Sequence, residues 1–144
     1  MSRVLVAVDG SPSSIAALRW ARRHAESNRM ELLVVTAYMR PHAIADVNAM
    51  YLDLHDAAAE GARERSRRAI TEVFGSGIVD HIVTEGSIED LLVEHADPDS
   101  VIVIGTRSRV KFWHRFRPSL TNRITGRVEC TVISVPRRSE QLRP

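Results

Sequence analysis

The residues best equipped for chemistry lie in one stretch, Val101 to Thr121, VIVIGTRSRVKFWHRFRPSLT. A β-branched run ends at Gly105, and the loop after it carries Arg107, Arg109, Lys111, Arg115 and Arg117. Ser119, Leu120 and Thr121 then open a predicted helix. A strand, a glycine turn, a cationic loop and a hydroxyl-bearing helix start together suit an anion, because the N–H groups at a helix start favour phosphate. The same residues also make an ordinary strand-to-helix connection with a solvated surface, and the stretch alone does not separate the two. A second candidate is Asp9, which closes the apolar run RVLVAVD. Its carboxylate can accept hydrogen bonds from a ribose or an adenine amino group. Equally, it can cap the Ser11 turn that follows.

A catalytic constellation does not assemble around these groups. The chain has no GxSxG elbow, no Walker lysine motif and no Cys-x-x-Cys or His-x-x-x-His pair. The paired acidic cluster of a phospho-accepting receiver domain is replaced after the first strand by Gly10-Ser11. His24, His42, His55, His81, His95 and His114 fall on different elements and read as surface or packing residues, although His114 sits in the basic loop.

Elements that position Asp9 and Gly105 follow from the periodicity. Arg3–Asp9 reads as a strand buried on both faces. Gly10 turns the chain, Ser11 is an N-cap and Pro12 suits the first helical position, with Ile15, Leu18, Ala21 and Ala25 as the apolar stripe. Met30–Tyr38 is the second strand. Asn48–Phe74 is a long helix with a mixed-charge outer face, ended by Gly75-Ser76-Gly77 in a left-handed cap. Ile78–Thr84 is a third strand, and its Asp80 and His81 suit an edge. Ser87 opens a short helix, with Asp90 spaced as a weak capping box, and Asp97-Pro98 stops it. Val101–Gly105, a helix over Ser119–Val128 and the strand Thr131–Val135 complete the chain.

Strict strand–helix alternation predicts an α/β sheet with helices on both faces and right-handed connections. The two purest apolar strands, Arg3–Asp9 and Val101–Gly105, belong at the centre. The predicted order is therefore 3-2-1-4-5, with its topological switch between them. Ligands of open parallel sheets bind outside the strand carboxyl ends at such a switch. Asp9 and Gly105 are those ends.

Composition bounds the partners. A chain of 144 residues, 44% hydrophobic and 26% charged, suits one soluble domain. The net charge of +2 does not imply nucleic-acid binding, even with a pI near 9.2. A single cysteine, Cys130, excludes an intrachain disulfide, suits a reducing compartment and reads as a small packed hydrophobe. The start lacks a signal-peptide pattern and no apolar stretch approaches the ~20 residues of a membrane span. These features predict a cytoplasmic protein with no membrane partner.

The segments VLVAVDGSPSSIAALRWA, EGSIEDLLVEHA, SVIVIGTRS and CTVISVP, in this order and spacing, resemble the universal stress protein family from Arg3 to Pro136. The resemblance implies a single Rossmann-like, three-layer α/β sandwich of the adenine nucleotide alpha hydrolase type. Its domain would span residues 1–137, with 138–144 as a flexible tail. It further implies a homodimer paired through residues 130–136 and, in many members, binding of ATP with magnesium. Asp9 matches the family's adenosine-contacting aspartate, and Ala37 falls where a backbone contact reaches adenine. Gly105 matches the first glycine of the family's nucleotide loop, and Ser119 and Thr121 match its hydroxyls, flanking Leu120. Arg107 and Arg109 would add charge for phosphate.

Two family glycines are missing from that loop. Ser108 stands at the second position and Pro118 at the third, where proline fixes φ and removes an N–H donor. The Ser108 hydroxyl can itself donate to a phosphate oxygen. Phe112, Trp113 and Phe116 occupy a region the family usually keeps small. Two main functions follow: a stress-related regulatory protein binding an adenosine nucleotide, or an interaction module whose aromatic-basic loop, 106–118, meets a protein partner. Weak ATP hydrolysis, known in some members, ranks third, because no general base is identifiable.

Overall fold

The computed structural model describes residues 2–39, 48–106 and 120–137, with the backbone alone over 48–55. In chain order the elements are β1 (Arg3–Ala7), α1 (Pro12–Asn28), β2 (Glu31–Tyr38), α2 (Asn48–Phe74), β3 (Asp80–Glu85), α3 (Ile88–His95), β4 (Val101–Thr106), α4 (Leu120–Thr125) and β5 (Thr131–Pro136). The five strands are all parallel and lie in the order β3-β2-β1-β4-β5. This is the predicted order, and the switch lies between β1 and β4.

Alternation along the strands divides the core in two. Val4, Val6, Val34, Val103 and Val135 point to one face and pack with Leu18, Ala21 and Ala25 of α1 and Ala69 of α2. Leu5, Leu33, Val35, Ile102 and Ile104 point to the other and pack with Leu91 and Leu92 of α3 and Ile124 of α4. Both faces of the central strands are apolar because both are covered by helices.

Capping follows the side chains expected of it. Ser11 precedes α1 in extended geometry and accepts from the Ser14 N–H, with Pro12 in the first turn. Ser87 does the same for α3 through the Asp90 N–H at 3.5 Å. Gly75, at φ +62°, donates its N–H to the Thr71 carbonyl and ends α2.

Several boundaries differ from the sequence expectations: β3, β4 and β5 each run one residue further, to Glu85, Thr106 and Pro136. β1 ends at Ala7, two residues early, although the Val8 N–H still reaches the Val35 carbonyl at 3.0 Å. Met30 is not part of β2: Arg29 takes a left-handed conformation at φ 54°, and the Met30 N–H closes α1 by donating to Ala25. β3 starts at Asp80 because the chain after Gly77 has not yet reached β2, which leaves Ile78 fully exposed. α4 ends at Thr125, and the Arg127 N–H folds back to the Ile124 carbonyl in a turn.

One contact fixes how α1 sits on the sheet. A Cβ added to Gly105 would overlap the Ser13 carbonyl and stand 2.9 Å from the Ser14 nitrogen. The end of β4 and the first turn of α1 therefore meet main chain to main chain. Gly105→Ala should lower unfolding stability by at least about 2 kcal/mol in urea denaturation, since backbone cannot rotate out of the way as a side chain can. Ser66, fully buried on α2, has a hydroxyl with no hydrogen-bond partner among the described residues. Ser66→Ala should raise the melting temperature, by the equivalent of about 1 kcal/mol.

Candidate functional site

A cavity of about 430 Å³ opens at the carboxyl ends of the central strands. Ala7, Val8 and Asp9 bring β1 to it, Ala37 and Met39 bring β2, and Ile104 and Gly105 bring β4. The start of α1 contributes Ser11, Ser13 and Ser14. The start of α3 contributes Gly86, Ser87 and Ile88, and Leu120 enters from α4. Its size is that of a small-molecule site, typically ~300–1,000 Å³.

The polar groups of the β1–α1 turn are bonded to one another. Asp9 Oδ1 accepts from the Ser11 N–H at 2.8 Å, and the Ser11 and Ser13 hydroxyls lie 3.2 Å apart. Ser14, buried, donates its hydroxyl to the Ser11 carbonyl at 2.9 Å and accepts from the Asp9 N–H at 3.3 Å. Behind them, buried Thr36 donates to the Val8 carbonyl at 2.8 Å and ties β1 to β2 where the ladder ends. Partial burial pushes the Asp9 carboxyl up, but the side-chain and backbone bonds from Ser11, with those from Ser14, hold it below the usual carboxylate value. Asp9 is therefore an anion at neutral pH. Among the described lining residues it is the only ionisable side chain.

The α4 wall is braced from α3. Glu89 accepts from Arg123 at 3.0 Å and from Arg127 at 3.0 Å, while Asp90 accepts from Arg127 at 2.8 Å. Bonds from Arg127 and then Arg123 hold the Glu89 carboxyl below its usual range. These exposed pairs orient α4 more than they stabilise it, while Ile124 anchors the helix in the core.

Of the residues expected to form a site, Asp9, Ala37, Gly105 and Leu120 are brought together around the cavity. Asp9 takes on the turn-capping role weighed for it and still faces the cavity. Thr121 does not line it: one position along the helix turns its hydroxyl to Ser134 of β5, 2.8 Å away. Arg107, Ser108, Arg109 and Ser119 lie outside the described residues, as do Phe112, Trp113, Phe116, Pro118 and the residues 138–144. Ser13, Ser14, Met39, Gly86, Ser87 and Ile88 line the cavity without having been singled out. The run Ser11-Pro12-Ser13-Ser14 was the available signal for the hydroxyls, since three serines around one helix start exceed what a single cap needs.

Cys130 is partly buried against the α3–α4 side of the core, and burial pushes its thiol up. That is the packing role expected of it. No group of three or more His, Cys, Asp or Glu side chains among the described residues is placed to hold a metal ion. No helix among them is long and apolar enough to cross a membrane.

Comparison with known proteins gives one family. The model of the universal stress protein family matches residues 1–136. Among solved structures, the universal stress protein UspA from Lactobacillus plantarum is 21% identical and superposes with a TM-score of 0.69, covering 93% of this chain and 97% of that one. A universal stress protein in complex with cAMP is 24% identical, with a TM-score of 0.59 over 93% of this chain and 96% of that one. A family protein from Arabidopsis thaliana with AMP bound is 17% identical, with a TM-score of 0.58 over 99% of this chain and 96% of that one. No curated protein sequence matches the chain.

The Asp9 hydrogen bonds give a pH prediction. A carboxyl whose folded pKa lies below its unfolded value contributes stability that is complete above the unfolded value and lost as pH falls through the folded one. Asp9→Asn should cost at most about 0.5 kcal/mol at pH 7, because Asp9 is exposed, solvent screens its charge and the amide oxygen can still accept from Ser11. Urea denaturation should show that the gap between the two proteins closes as pH falls through and below the usual carboxylate range.

Proposed function

The chain belongs to the universal stress protein family, and we propose that it is a regulatory protein of the stress response that binds an adenosine nucleotide in the cavity between β1 and β4. The observation that carries this reading is the meeting of Asp9, Ala37 and Gly105 around one cavity. The solved relatives with cAMP and AMP bound support the ligand class.

The lining suits the nucleoside end of such a ligand. Ala37, Ile88, Ile104 and Leu120 offer apolar surface to a base, while Asp9 and the Ser11 and Ser13 hydroxyls face it with groups that can bond ribose hydroxyls. The ionised Asp9 repels phosphate, which would direct the phosphates away from β1. The chain leaves Gly105 and Thr106 into the stretch carrying Arg107 and Arg109, and ATP with magnesium or AMP would place its charge on that side.

Binding rather than turnover is the function this lining favours. Asp9 is the one ionisable side chain among the described lining residues, and its carboxylate, turned to the β1–α1 end with the serine hydroxyls, has no second titratable group beside it to share acid–base work. The reading includes a cytoplasmic homodimer. β5 forms one edge of the sheet, and pairing with a second copy through residues 130–136 would cover that edge.

Calorimetric titration of the purified protein with AMP, cAMP and magnesium–ATP tests the proposal. At least one should bind saturably, and Asp9→Ala should weaken it by about tenfold, the loss of one charge-assisted hydrogen bond. Absence of heat at several temperatures, together with no thermal stabilisation at millimolar ligand, would overturn it.

A further inference from the structure

Met39 is out of keeping with its surroundings. It is one of two large hydrophobic side chains widely exposed among the described residues, at 71%, and unlike the other, Ile78, it lines the cavity. The strand that leads to it is well held. Tyr38, immediately before it, pairs with Glu85 across β2 and β3, and its carbonyl accepts from the Gly86 N–H at 3.0 Å. The end of β2 therefore brings an unbranched, polarizable side chain to the rim, the type that adapts to a flat aromatic surface.

The cavity is also divided chemically. The β1–α1 end holds the carboxylate of Asp9 and the hydroxyls of Ser11, Ser13 and Ser14. At the β2–α3 end, Ala37, Met39 and Ile88 place no polar side-chain group apart from the Ser87 hydroxyl, which already caps α3. Gly86 lies there too, and a Cβ built on it would meet nothing within 4 Å, so the wall beside Met39 is open. A ligand with a planar ring at one end and hydroxyl groups at the other matches both halves.

We infer that Met39 is a specificity residue, whose thioether closes over the planar base of a bound nucleoside beside the open surface at Gly86. This rests on the nucleotide reading of the same cavity. The exposed thioether loses water when the ring covers it and gains sulfur–aromatic contact, neither of which a sugar or phosphate supplies.

Adenosine, which has the ring and no phosphate, is the probe. Titrated into the full chain, it should bind Met39→Ala about five- to tenfold more weakly than the wild type. Met39→Leu, which keeps the bulk, should stay within about twofold to threefold of wild type. The melting temperature without ligand should be the same in all three, because the side chain is exposed. Equal adenosine affinity in wild type and Met39→Ala overturns the role of Met39 and leaves the nucleotide reading standing. A lost affinity accompanied by a lowered melting temperature overturns it as well, by showing a structural role. A wild-type protein that binds neither adenosine nor any of the three nucleotides overturns the nucleotide reading, and the inference with it.

Discussion

The approach of Gly105 to the first turn of α1 is the constraint on which the rest of the structure depends. With no side chain at Gly105, next to last in β4, the Ser13 carbonyl and Ser14 nitrogen come directly against the strand. That contact sets the height of α1 over β1 and β4, and so the positions of Ser11, Ser13 and Ser14. Where Gly105 meets α1 the cavity wall is set by main chain, and no side-chain rotation moves it.

The same region shows how polar groups are accommodated where a parallel sheet ends. Strand ladders stop there, and main-chain groups lose their regular partners. Ser14 satisfies both the Asp9 N–H and the Ser11 carbonyl, and Thr36 takes the Val8 carbonyl. Each is a short hydroxyl residue buried within one or two positions of the cavity. Their bonding leaves Asp9 with a defined orientation and a persistent charge. The candidate site and the closing of the sheet thus use the same residues.

Much of this was legible in the sequence because strands buried on both faces have an unmistakable composition. Val4 to Val8 and Val101 to Ile104 carry no polar residue, and that alone placed them centrally and put the switch between them. Asp80 and His81 marked the edge for the opposite reason. Less legible were features set by tertiary geometry. Arg29 adopts a left-handed cap that composition assigns to glycine or asparagine, and Ile78 has strand-like chemistry but no strand beside it. Thr121 and Leu120 are neighbours in sequence, and only the helix phase decides that Leu120 meets the cavity while Thr121 meets Ser134. Gly105 was read as a strand-end turn and the first glycine of a nucleotide loop, and only the tertiary structure shows that its bare α-carbon seats the first turn of α1.

The two edges of the sheet are chemically unlike, and that difference bears on how copies of the chain can assemble. Asp80 and His81 stand exposed on β3, whereas β5 carries only hydroxyl, apolar and proline residues from Thr131 to Pro136. If two copies join through β5 about a two-fold axis, both outer ends of the combined sheet are β3, each with a carboxylate and an imidazole at its margin. Strand addition there would strip both groups of water. In such a pair, further growth along the sheet would carry the cost of desolvating a carboxylate and an imidazole at each margin, a cost that pairing through β5 does not carry.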